Sequence, residues 1–504
     1  MALAALLACI AGVIGLFLLD RDRSVRTSRG LWLPVIWFWI IGSRSVSEWF
    51  SGGPSSQSIN EQLEGSPTDR AVFLVLLAAG IVVLLRRRSS AMALLRSNGP
   101  ILIYFAYCLL SVVWSPFPDV AFKRWSKAIG DLVMALVVVT DADPIAALKH
   151  LLSRTAFILF PFSVYMIRYS ELGRGYTPDG ELVNTGVTTN KNILGVVTLV
   201  LMLGVLWRIG TLIRDEGQSG RRRHLLAQAA IFASGSAVLL LANSATSLAC
   251  FGLGSLLIIA TSLKAIRRYP ASVHAVVLAL AVAGGLTVLM GGQSAAVGAL
   301  GRDSTLTGRT DIWKAVLPAV PNALVGAGFE GFWIAPGTRP QLARSLSQYL
   351  VGINEAHNGF IEVYLNLGWI GIGLIILVLI SGYRRGCTAF RHDPDVASLL
   401  LAYIVIAPLY CITEAGFRML GAMWIFLLLA IVAATQVVRA RVPSGASEPL
   451  GVDARTGSGA LTTNVFPPRR LSVGRDSPLS SSRSAVLGAE FSSRRIASAS
   501  GEDR

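Results

Sequence analysis

The chain has 504 residues, of which 53% are hydrophobic and only 15% charged, against roughly 25% charged in a soluble domain. Its apolar residues fall in runs long enough to cross a hydrocarbon core, about 20 residues per helix, which excludes an ordinary soluble fold. The net charge of +16 first suggests nucleic acid, but the arginines cluster between apolar runs and in a polar tail, as in a membrane protein's cytoplasmic loops, so no nucleic-acid partner is expected.

The first twenty residues, MALAALLACIAGVIGLFLLD, lack a basic leader and read as a first spanning helix, not a cleaved signal. In chain order, about thirteen helices are expected. They lie near 2–19, 30–43, 71–85, 100–114, 127–140, 155–167, 192–210, 225–241, 245–263, 272–291, 360–381, 397–412 and 417–437. The second and fifth are short, as tilted or re-entrant segments would be. The fold class is an all-α polytopic membrane protein with about 11–13 transmembrane helices and a long outer loop carrying short helices. Its domains are N-terminal transmembrane helices (1–99), a membrane domain (100–437) including outer loop 293–357, and a disordered cytoplasmic tail (438–504). The tail is rich in Ser, Gly, Pro and Arg and cannot bury enough surface to fold alone; a solvated tail is the simple reading, and headgroup binding the alternative.

The connecting segments alternate in charge. RDRSVRTSR (21–29), RRR (86–88), KHLLSR (149–154), RRRH (221–224), the Lys-x-x-Arg-Arg run (264–268) and YRRG (383–386) form one set. The set at 44–70, 115–126, 168–191, 242–246, 293–357 and 413–418 is poorer in arginine and is assigned to the outside. The five cysteines, Cys9, Cys108, Cys250, Cys387 and Cys411, show neither disulfide nor metal spacing.

Chemistry is expected in the outer loops, where water and partners can reach. In 293–357, apolar residues at Ile312, Trp313, Val316, Leu317 and Val320 mark a helical face over 310–320, and 340–350 reads likewise. Of five histidines only His357 falls outside, either as a general base or as a helix cap. Arg309, between Gly308 and Thr310, is either a phosphate-binding guanidinium or a surface arginine at a helix start. Lys191 is either a snorkelling lysine or an anion contact; Arg168 and Arg174 share its loop. Asp303, Asp311, Glu330, Glu355 and Glu362 are scattered in sequence, so no metal and no other cofactor is expected. Glu414 and Arg418, in TEAGFR (413–418), read as an ion pair at the membrane edge or as a substrate contact.

Four segments together resemble the O-antigen ligase / Wzy polymerase superfamily, most nearly the exopolysaccharide polymerases of the ExoQ type. They are LLSVVWSPFPDVAFKR (109–124), GVTTNKNILG (186–195), GRTDIW (308–313) with GAGFEGFW (326–333), and AHNGFIEVYLNLGWIGIG (356–373). The resemblance covers roughly residues 100–435. It implies a GT-C-like fold and a metal-independent inverting glycosyltransferase of the bacterial inner membrane, its site facing the periplasm. The donor would be an undecaprenyl-diphosphate-linked glycan. A polymerase passes the glycan to another lipid-linked unit, whereas a ligase passes it to a different acceptor. Arg309 would contact the diphosphate, and His357 would act as base or orient the acceptor hydroxyl. Trp313, Asn358, Lys191, Arg168, Arg174, Glu414 and Arg418 are the candidate substrate contacts, and Gly368 and Gly371 would let helices pack closely. Membrane lipid and other polysaccharide-assembly proteins are the candidate partners. One departure stands out. Where relatives carry a serine-basic-threonine segment, this chain has NSATS (243–247), with Ala245 at the basic position. That leaves the second cation to Lys191, Arg168 or Arg174. A lipid-linked glycan transporter is the competing class, and it should show inverted repeats and broken midplane helices. A non-enzymatic scaffold would not need the Arg309 and His357 pair.

Overall fold

A computed structural model describes residues 1–21, 27–51, 65–176, 180–215, 217, 220–289, 306–336, 338 and 354–440, with side chains for all of these except 284–289 and 306–308. Among the described residues eight helices are long and apolar enough to span a membrane. They are α1 (Ala2–Leu19), α4 (Pro67–Arg86), α8 (Pro144–Tyr169), α9 (Lys191–Arg214), α10 (Arg221–Ala242), α11 (Ala245–Ser262), α15 (Gly359–His392) and α17 (Ala422–Ala440). A ninth span is a broken pair, α5 (Arg88–Ser97) and α6 (Gly99–Leu110), the latter continued by a 3₁₀ turn to Trp114, bent by 87°. Pro100 cannot supply a backbone donor to continue the ladder, so the chain turns there. Shorter apolar helices are α2 (Trp32–Ile41), α13 (Ser272–Leu289) and α16 (Pro394–Tyr410). The fifth expected span, near 127–140, is the apolar half of α7 (Pro118–Val139), whose first turns carry Lys123, Arg124 and Lys127. The last helix runs to Ala440, three residues into the expected tail; the rest of that tail, and the helix expected at 340–350, lie outside the described residues. The remaining helices are α3 (Val46–Ser51), α12 (Lys264–Arg268) and α14 (Leu306–Val316), and β1 (Arg174–Tyr176) pairs antiparallel with β2 (Leu182–Asn184).

α16 and α17 pack on each other, on α9 and on α15, and form the interior. Leu399, Leu400, Leu401, Phe426, Leu427 and Leu428 are fully covered. α1 and α4 lie at the rim, with Leu3, Leu7, Leu74 and Leu85 left for lipid. Such a bundle satisfies most of its backbone groups within its helices, as a hydrocarbon environment demands.

The two loop sets gather at opposite ends of the spans. At the arginine-rich end, Arg208 and His224 meet Asp20 at 2.8 and 3.0 Å, Arg87 meets Asp141 at 3.1 Å, and Arg214 and Arg267 meet Asp395 at 2.9 and 2.5 Å. His150 reaches Thr27 at 3.3 Å, and His274 reaches Tyr383 at 2.7 Å. His274, expected inside an apolar run, lies in the first turn of α13.

At the opposite end the motifs interlock. α15 is broken at Gly368, whose φ of 64° and ψ of −163° belong to glycine almost alone. The turn at 322–328 fills the break: Ala327 N–H donates to Leu365 O (3.0 Å), Trp369 N–H to Ala323 O (2.9 Å) and Ile370 N–H to Leu324 O (3.1 Å). Gly368 therefore does not serve plain helix packing. It lets a loop backbone lie against the opened helix, where a Cβ would stand 2.2 Å from Leu324 C. The tryptophan-serine-proline segment holds the same turn from behind, through Trp114 Nε1–Val325 O (3.2 Å), Phe329 N–Ser111 Oγ (3.1 Å) and Arg124 Nη1–Glu330 O (2.6 Å).

Gly368→Ala is expected to lower stability by about 1–3 kcal/mol from backbone strain alone, and by more from the clash. A fall in thermal midpoint of the detergent-solubilised variant checks this; an unchanged midpoint would show that the break is not needed.

Candidate functional site

The site is assembled where residues 354–358 enter α15. Asn358 caps that helix, its Oδ1 accepting from Phe360 N (2.9 Å) and Ile361 N (3.0 Å), and its Nδ2 donates to Ile412 O at 2.9 Å. A side-chain oxygen bonded to the first amides is the usual N-cap device. Gly359 N–H donates to Cys411 O at 2.8 Å, so the helix start is stitched to the 411–421 strap. The strap is anchored at its far end by Asp131, which accepts Leu420 N–H (2.9 Å) and Trp37 Nε1–H (2.9 Å). Thr413 meets Thr246 of the NSATS segment at 3.0 Å. Trp313 Nε1 donates to Ala356 O at 2.8 Å, and buried Glu362 accepts Ala356 N–H and Trp333 Nε1–H (3.0 Å). Asn358 and Trp313, expected as substrate contacts, thus spend these groups on building the site.

Glu414 is the centre. Its side chain is 5% exposed, and a buried charge needs partners. Oε1 accepts from Arg309 Nη2 at 2.9 Å; Oε2 lies 3.4 Å from Asn192 Nδ2 and 3.5 Å from His357 Nδ1. His357 Nδ1 is closer to Glu355 Oε1, at 3.0 Å, while Glu355 Oε2 lies 3.4 Å from Arg418 Nη1. Arg418 Nη2 also faces Glu330 at 3.8 Å. The expected Glu414–Arg418 pair is not formed. Each takes a partner from a distant segment, because the strap turns between them.

Two groups are left open. Both carboxylates address His357 through Nδ1, so Nε2 has no partner among the described residues, the arrangement of an oriented base. Arg309 Nη1 is buried and also lacks a partner among them. Burial opposes the charged imidazole, but the hydrogen bond it donates to Glu414 and the charges of Glu355 and Glu414 outweigh it, and the His357 pKa is raised above its ordinary 6.5.

Beside this cluster opens a cavity of about 420 Å³. Asn190, Asn192, Asn354, Glu355, Glu414 and Arg418 form its polar wall. Ile193, Val196, Val197, Met419, Leu420 and Met423 form its apolar wall. Lys191 starts α9 next to this wall without lining it, and Arg168 and Arg174 are exposed outside it. Of the expected cations, Arg418 lines the cavity and Arg309 joins the cluster through Glu414, while Arg309, Lys191, Arg168 and Arg174 are not among the cavity's lining residues. Sequence reasoning missed Glu355 as the closest partner of His357, and Asn192 altogether. The signal for Glu355 was its spacing of two from the histidine.

Glu355, His357 and Glu414 place ligand atoms within 4.8 Å of one another, a spacing that could hold a metal ion. Of the acids that are scattered in sequence only Glu355 joins this group, because the strap brings Glu414 to it. The oxygens of Glu355 and Glu414 are already addressed by Arg309, Arg418, Asn192 and the imidazole, so the set is charge-balanced as it stands.

The fold and site define a polytopic helical membrane protein with a histidine, carboxylate and arginine cluster at one end of its bundle, over a cavity half polar and half apolar. Residues 229–376 match the O-antigen ligase family model, Wzy_C. That stretch includes Arg309, Trp313, His357 and Asn358 and stops short of the strap. The chain is also 26% identical over 313 residues to the exopolysaccharide production protein ExoQ of Rhizobium meliloti (strain 1021), covering 58% of this chain and 67% of that protein. Over these stretches the chain is similar to the O-antigen ligase family and to ExoQ.

Glu355→Gln removes one of the two charges that favour protonated His357. Its pKa is expected to fall toward 6.5, as read by an isotope-edited histidine NMR titration. The stability that the protonated ring contributes is fully present below pH 6.5 and is lost as pH rises through the raised value. In Glu355→Gln that loss should come at lower pH; an unmoved titration would remove Glu355 from the pair.

Proposed function

We propose that the chain is an inner-membrane glycan polymerase that transfers a lipid-diphosphate-linked oligosaccharide to the hydroxyl of another glycan. The observation that carries this reading is the pair of open nitrogens, Nε2 of His357 and Nη1 of Arg309, held around one buried carboxylate beside the two-walled cavity. The acceptor hydroxyl gives its proton to Nε2 as its oxygen attacks the anomeric carbon, and the bond from that carbon to the phosphate oxygen breaks with inversion. The leaving undecaprenyl diphosphate takes the electron pair and is held by Arg309, with Arg418 as the second cation. The apolar wall suits the polyprenyl chain and the polar wall the diphosphate and sugar. The arginine-rich end of the bundle belongs in the cytoplasm, which puts the site at the periplasmic surface. The base works neutral, so the rate falls as pH drops through the raised His357 pKa.

The ligase reading uses the same bond changes with a different acceptor, and it is favoured by the description of the matching family model. The similarity to an exopolysaccharide production protein favours polymerase.

The test is reconstitution with a lipid-diphosphate-linked repeat unit, read as a product ladder. His357→Ala should lose about 10²–10⁴-fold in rate while inserting normally; full-length polymer would sink the base. Arg309→Lys should be nearly as damaging as Arg309→Ala, since lysine lacks the fork that holds Glu414 and phosphate together. Wild-type turnover by the lysine variant would refute that grip. Chelator should leave activity intact, and loss restored by a divalent cation would assign the Glu355, His357 and Glu414 set to a metal.

A further inference from the structure

At the arginine-rich end, far from the strap, a second cavity of about 370 Å³ opens between α1, the start of α2 and α8. One wall is apolar, made by Ile14, Phe17, Leu18 and Phe157. Ile14 and Leu18 are more than half exposed along the rim helix, so this wall is continuous with the surface that faces acyl chains. Its mouth is basic. Arg21 and Arg154 line it together with His150, and the Arg154 guanidinium stacks on Trp32 at 4.8 Å from the ring centroid. Among the described lining residues the one acid, Asp20, is paired with Arg208 at 2.8 Å and His224 at 3.0 Å. The charge presented to the cavity is therefore positive. Trp32, 44% exposed, has the amphipathic indole that marks the headgroup level of a bilayer.

We propose that this cavity binds one anionic glycerophospholipid. The phosphate lies between Arg21 and Arg154, and an acyl chain runs over Ile14, Leu18 and Phe157. The chemistry is that of a singly charged phosphate diester with attached hydrocarbon: guanidinium supplies paired donors to the phosphate, and the wall supplies a place for the chain. A free phosphate would use the mouth alone. A zwitterionic headgroup would bring its own cation against the two arginines. A cytoplasmic leaflet carries anionic lipid, and the arginine-rich end of this bundle is the one that faces it on the charge pattern.

The test uses the full-length protein in detergent micelles, titrated with phosphatidylglycerol whose chains are brominated to quench indole fluorescence. The readout is the quenching present in the intact protein and absent in Trp32→Phe. Saturable quenching by brominated phosphatidylglycerol is expected, with binding about tenfold or more weaker in Arg21→Ala/Arg154→Ala and largely kept in Arg154→Lys. Brominated phosphatidylcholine should quench far less. Equal quenching by both lipids, or unchanged affinity in the double variant, would overturn the site. So would relief of quenching by inorganic phosphate at the same concentration, because the ligand would then be phosphate and not lipid. Should the double variant fail to fold, Arg21→Glu carries the test, since Arg21 is exposed; unchanged affinity in that variant overturns the proposal as well.

Discussion

The burial of the Glu414 carboxylate organises one end of this protein. An ionised group that is 5% exposed beside a membrane interior is costly unless it is paired and fully hydrogen-bonded. Its donors come from three places: Arg309 on α14, Asn192 at the start of α9, and His357 ahead of α15. None is near it in sequence. Meeting the needs of one carboxylate therefore draws the 411–421 strap, the outer loop and two spanning helices to one point. The same demand explains why Asn358 and Trp313 are committed to backbone partners. They fix the segment that carries the imidazole, so that the ring reaches the carboxylates through Nδ1.

Backbone strain collects at the same end. Asn243, Glu330, His357 and Leu420 are the non-glycine residues with positive φ among those described. His357 belongs to the site itself, Glu330 faces Arg418, Leu420 is the strap residue held by Asp131, and Asn243 opens the segment whose Thr246 meets Thr413. Conformations of this kind cost energy and persist where surrounding contacts over-determine them. The contacts that do so here are the capped helix start, the tied strap and the turn packed into the Gly368 break.

The spans were legible because membrane thickness writes itself into run length, and the two ends because arginine marks one of them. Nearly every expected helix has its counterpart, and 30–43, 155–167 and 360–381 differ from the observed elements mainly at their ends. The site was legible only in part. His357 and Arg309 stood out by position and neighbourhood, but their partners depend on a strap far along the chain, and no periodicity reports that return. Asp131 lies in the apolar half of α7, where a sequence reading sees only an interrupted hydrophobic run, yet it holds the strap in place. The second cation was sought near the seventh expected helix, whereas the cavity is lined by Arg418 from the strap. Arg418 is brought there by Glu355 and Glu330, contacts that no spacing in the sequence reports.

The pairing of Arg309 bears on how a site of this kind can wait for its substrate. An arginine with every donor satisfied would have nothing to offer an anion, and one with none satisfied would be an unpaired buried charge. Arg309 is between these limits: Nη2 is held by Glu414 and Nη1 is open. The planar fork makes this division possible, because its donors point in fixed and different directions. The carboxylate cancels the cost of keeping the cation inside the protein, and it also aims the remaining donor. On the proposed reading, an arriving diphosphate adds a bond without first having to break one. The imidazole obeys the same rule, since its Nδ1 faces the carboxylates and its Nε2 is left for chemistry. Glu414 thus holds Arg309 and, together with the closer Glu355, orients His357, and on the proposed reading this places the two nitrogens jointly.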